Sequence, residues 1–246
     1  MGDFSIAYIL LAGFGAFIIG LSKGGIKGIF ILTVTLMALV FGGKASTGII
    51  VPLLLLGDVM AVIYYNRHAQ WRLLLRFLPW MVLGVLAGVY LGKDVPEEMF
   101  KDLMAVIIIF SVVMMIFWER KKDLILSNHI LFSGSMGFMA GVTTMLGNLA
   151  GAFSNIFFLS SRVPKDQFIG TTAWLFFLIN IFKLPFHIFV WKTVNVQSLN
   201  YDLYLVPFVV LGFICGVKMV RLFKEHFFRK FILAATAIGA IILLVN

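Results

Sequence analysis

The stretch Gly20-Leu-Ser-Lys-Gly-Gly-Ile-Lys-Gly28 (GLSKGGIKG) decides how this chain folds. It follows an apolar run that begins near residue 4 and precedes one of only about 14 residues, 28–41. Four glycines and two lysines occupy its nine positions. If the chain crosses a membrane on either side of it, Lys23 and Lys27 are ordinary cytoplasmic turn lysines. If it folds back, they lie inside the membrane, where a lysine costs about 2.5–3.5 kcal/mol on insertion scales and needs an anion or a wet cavity.

That a membrane is involved follows from composition. Of 246 residues, 61% are hydrophobic and 13% charged, against about 25% charged in a soluble domain. So few charges cannot cover a water-facing surface. Ten apolar segments can be drawn, at about 4–21, 28–41, 46–65, 72–92, 99–118, 129–145, 149–161, 167–191, 201–220 and 227–245,. No separate soluble domain fits between them. The net charge of +9 would suggest nucleic acid in a soluble protein. Here the bases cluster in short loops, as membrane topology requires, so no nucleic-acid partner is expected. The single cysteine, Cys215, allows no internal disulfide. The N-terminal run has no preceding basic residue and reads as a retained first segment rather than a signal peptide.

The polar stretch ERKKDLILSN (119–128) divides the segments into two groups of five, giving repeats 1–118 and 129–246 joined by a cytoplasmic linker. PWMVLGVLAGV (79–89) aligns without a gap on PFVVLGFICGV (207–217), with six identities in eleven positions, which we read as an internal repeat. An odd number of segments per half inverts the second half relative to the first. Arg67, Arg72, Arg76, Arg120, Lys121, Lys122, Arg162, Lys165, Lys224, Arg229 and Lys230 fall on one face. The other carries little beyond Lys44, Lys93, Lys101 and Lys192, with acids Asp94, Glu97 and Glu98 among them. The first face is expected to be cytoplasmic and both termini extracytoplasmic, in the plasma or inner membrane.

Segments 28–41 and 149–161 rise only about 18–21 Å, against a hydrocarbon core of about 30 Å. Each follows a glycine-bearing break, SKGGIKG in one half and TTMLGNLAG in the other. Short, interrupted segments at matching places in two halves point to a transporter's binding site. The expected fold is all-α, with two inverted-topology repeats. Each repeat is a helix–break–helix re-entrant hairpin plus three transmembrane helices.

The first break offers donors only. Gly24, Gly25 and Gly28 let the backbone turn and approach a ligand, Ser22 adds a hydroxyl, and Lys23 and Lys27 add charge. The following helix start favours anions. The second break supplies Thr143, Thr144 and Asn148, although threonines in membrane helices often bond the preceding turn. Segment 167–191 carries Thr171, Thr172, Asn180, Lys183, Pro185 and His187. A mid-membrane lysine is rarely idle, whereas a lone histidine is more often a bonded packing residue. Pro185 removes a helix bond and should bend the chain. Asp58, which aligns near Asn180, either relays protons or pairs with Lys183 or another base. Gly84/Gly88 and Gly212/Gly216 are explained by close helix packing.

Enzyme readings fail on context. Gly20-Leu21-Ser22-Lys23-Gly24 matches the G-x-S-x-G nucleophile elbow, but no strand–turn–helix is available to give it meaning. There is no phosphate loop and no H-E-x-x-H. His68, His129, His187 and His226 are too scattered for a metal site, so neither catalytic residues nor a metal or cofactor are expected.

Taken together, G-L-S-K-G-G-x-x-G (20–28), Pro52 with Asp58, Gly147-Asn148-Leu-Ala-Gly151, Pro164-Lys165, Gly170-Thr-Thr-Ala-Trp174 and Asn180-Ile-Phe-Lys183-Leu-Pro185-Phe resemble the TauE/SafE family of sulfite and organosulfonate transporters. The likeness covers nearly the whole chain. This chain departs from the family where G-x-G-G-G is common in the first hairpin, and where proline often follows the second Ala-Gly and Ala152 stands here. The extra lysines suggest a more negative or different anion. The resemblance implies a membrane carrier of sulfite or a short sulfonate. The residue chemistry leaves open a carrier for another oxyanion or carboxylate, an anion channel with the same basic lining, and an intramembrane enzyme using Ser22. A homodimer is also left open.

Overall fold

This computed structural model describes residues 6–119, 129–161, 163–222 and 224. The final apolar segment (227–245), both termini, residues 120–128 of the linker, Arg162, His226, Arg229 and Lys230 lie outside the described residues. The described residues form helices and no strand: α1 (Ile6–Lys23), α2 (Phe30–Phe41), α3 (Gly43–Tyr65), α4 (Trp71–Gly92), α5 (Glu97–Glu119), α6 (Ile130–Gly147), α7 (Gly151–Ser160), α8 (Lys165–Pro185) and α9 (Val196–Leu222). Five of them, α3, α4, α6, α8 and α9, some with a short extension, are long and apolar enough to cross a membrane. The exposed side chains include Leu39, Ile63, Leu75, Leu83, Tyr90, Leu131, Phe189 and Leu203, while Ser22, Lys23, Lys27, Asp58, Asn148, Asn180 and Lys183 are buried. An apolar outside around a polar inside is what a lipid solvent demands, and the chain is an integral membrane protein.

These helices match the first nine sequence segments to within a few residues, except that α8 ends six residues early and α9 begins five residues early. The two short ones are shorter still: α2 has 12 residues and α7 has 10, hence lengths of about 18 and 15 Å. Helices α1 and α2 fold back on each other. The Thr33 hydroxyl donates to the Gly15 carbonyl at 3.1 Å, and Met37 and Leu36 cover Gly15. A single residue, Gly42 at φ 90°, then turns the chain from α2 into α3.

Close approach of backbones organises the rest. A Cβ on Gly20 would stand 2.0 Å from the Val209 carbonyl oxygen, and one on Gly212 would stand 2.0 Å from that of Phe17, so α1 and α9 touch through bare backbone. Helices α4 and α6 do the same, with Gly84 against the Phe138 carbonyl and Gly141 against that of Met81, each at 2.1 Å. The two stretches aligned in the sequence therefore have the same role: each packs its glycines on the opening helix of the other half. Helices α3 and α8 pack between these pairs.

Loops gather at two ends. At one, the Glu97 carboxylate accepts the backbone N–H groups of Gly43 and Lys44 and so caps α3. The Lys44 ammonium donates to the Lys93 carbonyl at 2.8 Å and lies over the Trp191 ring. At the other, the turn at His68 meets Gly170, Arg221 donates to the Tyr64 hydroxyl and Lys165 to the Val220 carbonyl. Among the described residues, Lys44 and Lys93 thus lie at one end and Lys165 and Arg221 at the other. Pro185 ends α8, and a π-type turn over Phe186–Val190 follows, closed by Trp191 N–H donating to the Phe186 carbonyl at 2.8 Å.

Candidate functional site

The two breaks are built differently. At the end of α1, Gly25 takes φ 120° and Gly28 takes φ 100°, conformations that cost a side-chain-bearing residue dearly,. Gly24 fits because α9 leaves no room: a Cβ would lie 2.6 Å from the Phe213 carbonyl oxygen. The Tyr65 hydroxyl donates to the Gly24 carbonyl at 2.7 Å, satisfying a helix-end acceptor,. At the end of α6, Asn148 adopts the left-handed conformation, φ 58°, and its N–H donates to Thr144 O at 3.0 Å. This is the commonest device for stopping a helix, with asparagine in place of glycine.

A cavity of about 690 Å³, open mouth included, lies between these breaks. Its walls include Ser22, Lys23, Lys27 and Gly28 from the first break, Thr144, Asn148, Gly151 and Ala152 from the second, and Phe176 and Asn180 from α8. Gly151 and Ala152 belong to the first turn of α7, where helix geometry leaves N–H groups without intrahelical acceptors.

Three buried lysines surround this space, with contrasting partners. Lys23 Nζ lies 2.5 Å from Asp58 Oδ1, and Asn180 Nδ2 donates to Asp58 Oδ2 at 2.5 Å. Both carboxylate oxygens are therefore occupied. Lys183 donates to the Asn148 side-chain oxygen and to the Thr144 hydroxyl, the latter at 3.2 Å. Lys27, only 4% exposed, has no hydrogen-bond acceptor or carboxylate partner among the described residues. Its ammonium sits 5.5 Å from the centre of the Phe176 ring, which Lys23 also faces at 4.9 Å.

Of the residues singled out in the sequence, Ser22, Lys23, Lys27, Thr144, Asn148 and Asn180 line the cavity. Lys183 stands behind Thr144 and Asn148. Gly24 and Gly25 shape the turn. Thr143 and Thr171 are elsewhere. Thr143 bonds the Met139 carbonyl at 2.8 Å. Thr171 bonds the Gln167 carbonyl at 2.6 Å and accepts the Gln70 N–H. Asp58 pairs with a base, Lys23 rather than Lys183. His187 Nδ1 is 2.9 Å from the Thr193 hydroxyl, and the ring packs on Trp191. Among the described residues no group of histidine, cysteine and acid could hold a metal.

The sequence reasoning missed Phe176, Tyr65 and Asn155. Phe176 precedes Asn180 by four, the spacing of one helix face, so the register of α8 carried the signal. Asn155 follows Gly151 by four in the same way. It lines the cavity with its buried Oδ1 unpartnered. Tyr65 left no local signal, because it acts across 41 positions.

Matched against known families, residues 8–243 fit the sequence model of the family described as Sulfite exporter TauE/SafE. No curated protein and no solved structure matched. The members of that family are transporters, not enzymes. A match over nearly the whole length, on a helical membrane scaffold of this kind, makes the chain a member of the TauE/SafE sulfite exporter family.

Proposed function

We propose that the protein is a secondary transporter of a small sulfur-containing anion, sulfite or a short organosulfonate, working by alternating access. The observation that carries this reading is Lys27, a buried lysine on the cavity wall that forms no hydrogen bond or ion pair with any described residue. Three buried lysines converge there against one carboxylate whose oxygens are already taken. A cation so placed is satisfied by an anionic ligand more cheaply than by any protein group present. Ser22, Thr144 and Asn180 add neutral donors, and Gly24 and Gly25 give the backbone its approach. Lys183 orients Asn148 and Thr144. Thr143 and Thr171 support their helices.

The architecture we propose is a pair of re-entrant hairpins, α1–α2 and α6–α7, entering from opposite sides and related by inverted repeats 1–118 and 129–246, with 119–128 as a cytoplasmic linker. In support, α2 and α7 are too short to span, and α1 and α2 turn back at Gly24–Ile29. The glycine-packed pairs α1/α9 and α4/α6 exchange roles between the halves. The end bearing Arg67, Lys165 and Arg221 is cytoplasmic in this scheme. Asp58, the coupling candidate of the sequence, anchors Lys23 and Asn180 in this conformation. A proton reaches it only if that pair opens.

The test is sulfite binding to purified protein by calorimetry, followed by counterflow in proteoliposomes. Saturable uptake accelerated by sulfite on the opposite side is expected. Non-saturating flux without counterflow would make the protein a channel.

A further inference from the structure

Asp202 is the one acid on α9. It lies in a regular buried stripe on that helix: Ser198, Asp202, Leu205, Val209 and Gly212. One turn further on, Leu205 and Val209 pack into an apolar core with Ala12, Ala16 and Ile19 of α1 and Ile49, Ile50 and Leu53 of α3. Asp202 is 5% exposed, and neither carboxylate oxygen has a hydrogen-bond partner among the described residues.

Among the described residues, no titratable group on this half of the neighbouring helices forms a hydrogen bond or ion pair with it. From α1 the group is Tyr8, from α3 it is Lys44, and α9 itself supplies Tyr201 and Tyr204; α2 carries none. The Lys44 ammonium is engaged by the Lys93 carbonyl and by the Trp191 and Phe100 rings. Tyr201 packs on Phe41 and accepts from Gln197. No hydrogen bond joins any of these to Asp202.

An ionised carboxylate left unpaired in an apolar core is strongly disfavoured, and the group takes up a proton instead. Asp58 presents the opposite case, a carboxylate whose two oxygens are engaged by Lys23 and Asn180. Asp202 lies about two turns from the start of α9, which begins directly after the loop 191–195 at the end where Lys44 and Lys93 gather. Its helix touches α1 through bare backbone at Gly20 and Gly212, and α1 carries Lys23 and leads to Lys27. Any sliding of α9 on α1 moves Asp202 relative to α1.

We propose that Asp202 is a proton-binding site that couples transport to the proton gradient. In the conformation seen here the carboxyl group carries the proton. When α9 shifts and water reaches the side chain, the O–H bond breaks, the proton passes to water and the carboxylate remains.

This rests on the transporter reading, so the test has one arm independent of it. Infrared difference spectra of the purified full chain, recorded as pH is raised, should show loss of a protonated-carboxyl band. That band should be missing in Asp202→Asn and retained in Asp58→Asn. In the second arm, a pH gradient across proteoliposomes should accelerate sulfite counterflow in the parent protein and not in Asp202→Asn, with sulfite affinity unchanged to within about twofold. The proposal is overturned if no titrating band depends on Asp202, if the variant keeps the full response to the pH gradient, or if sodium replaces the proton as driver. If sulfite is neither bound nor moved while the Asp202 band titrates normally, the anion assignment fails and the proton site stands.

Discussion

Lys23 and Lys27 are four residues apart in sequence, yet their neighbours differ. Lys23 has Asp58 at 2.5 Å, and Lys27 has an aromatic face and a cavity. Their replacements should therefore behave differently. Lys27→Ala removes a charge-assisted contact to the anion worth about 1.5–3 kcal/mol. Sulfite binding measured by calorimetry should weaken about tenfold to a hundredfold, with thermal stability in detergent held or raised. Asp58→Asn strands the Lys23 ammonium in the interior, and breaking such a pair costs about 3–5 kcal/mol. Its melting temperature should fall sharply, and the double variant Lys23→Met with Asp58→Leu should recover most of it. Equal melting behaviour of the single and double variants would show that the pair carries no structural weight.

At the level of elements, glycine is the deciding residue at two kinds of place. Gly212 lets α9 lie against α1, and any side chain there meets the Phe17 carbonyl oxygen. Gly212→Leu should yield aggregated or poorly expressed protein on size-exclusion chromatography. Gly151, at the start of α7, is the contrary case: a β-carbon placed on it would meet nothing within 4 Å. Gly151→Ala should fold normally and gain up to about 1 kcal/mol from reduced chain entropy. Intruding on the cavity wall, it should also alter sulfite affinity more than stability. The G-x-x-x-G pairs announced close packing, but the helix they pack against was not readable from them. The partner of Gly84 is Phe138, in the other half of the chain, and no local pattern encodes such a pairing.

On the scale of the whole molecule, the charge sorting of the loops predicts orientation. In a background with Cys215→Ser, a cysteine at Asp94 should label with a membrane-impermeant reagent from outside intact cells, and one at Ala69 only after permeabilisation. The reverse pattern would invert the topology. Transport supplies the other prediction at this scale: in the mechanism proposed above, the breaks after α1 and α6 serve one site. Lys27→Ala and Asn148→Ala should therefore each depress counterflow, although the two residues come from opposite halves.

The sequence by itself determined the solvent, the helices and the family. Composition excludes a water-facing surface, apolar run lengths set where helices can stand, and the breaks at Gly24–Gly28 and Gly147–Ala150 interrupt them. These are local properties, written in contiguous residues. It also nominated the lysines, because a charge among apolar residues is costly wherever the chain goes. Tertiary structure decided which of them is satisfied. Asp58 is 35 positions from Lys23, and Asn180 is 122 from Asp58, so their pairing depends on how helices pack rather than on what surrounds each in sequence. The same holds for Thr143 and Thr171, whose hydroxyls the backbone of their own helices absorbs, and for Phe176, which packing carried under two ammonium groups. The state of Lys27 is thus a product of the fold: its charge was legible in GLSKGGIKG, and only the packing shows that no described residue forms a hydrogen bond or ion pair with it.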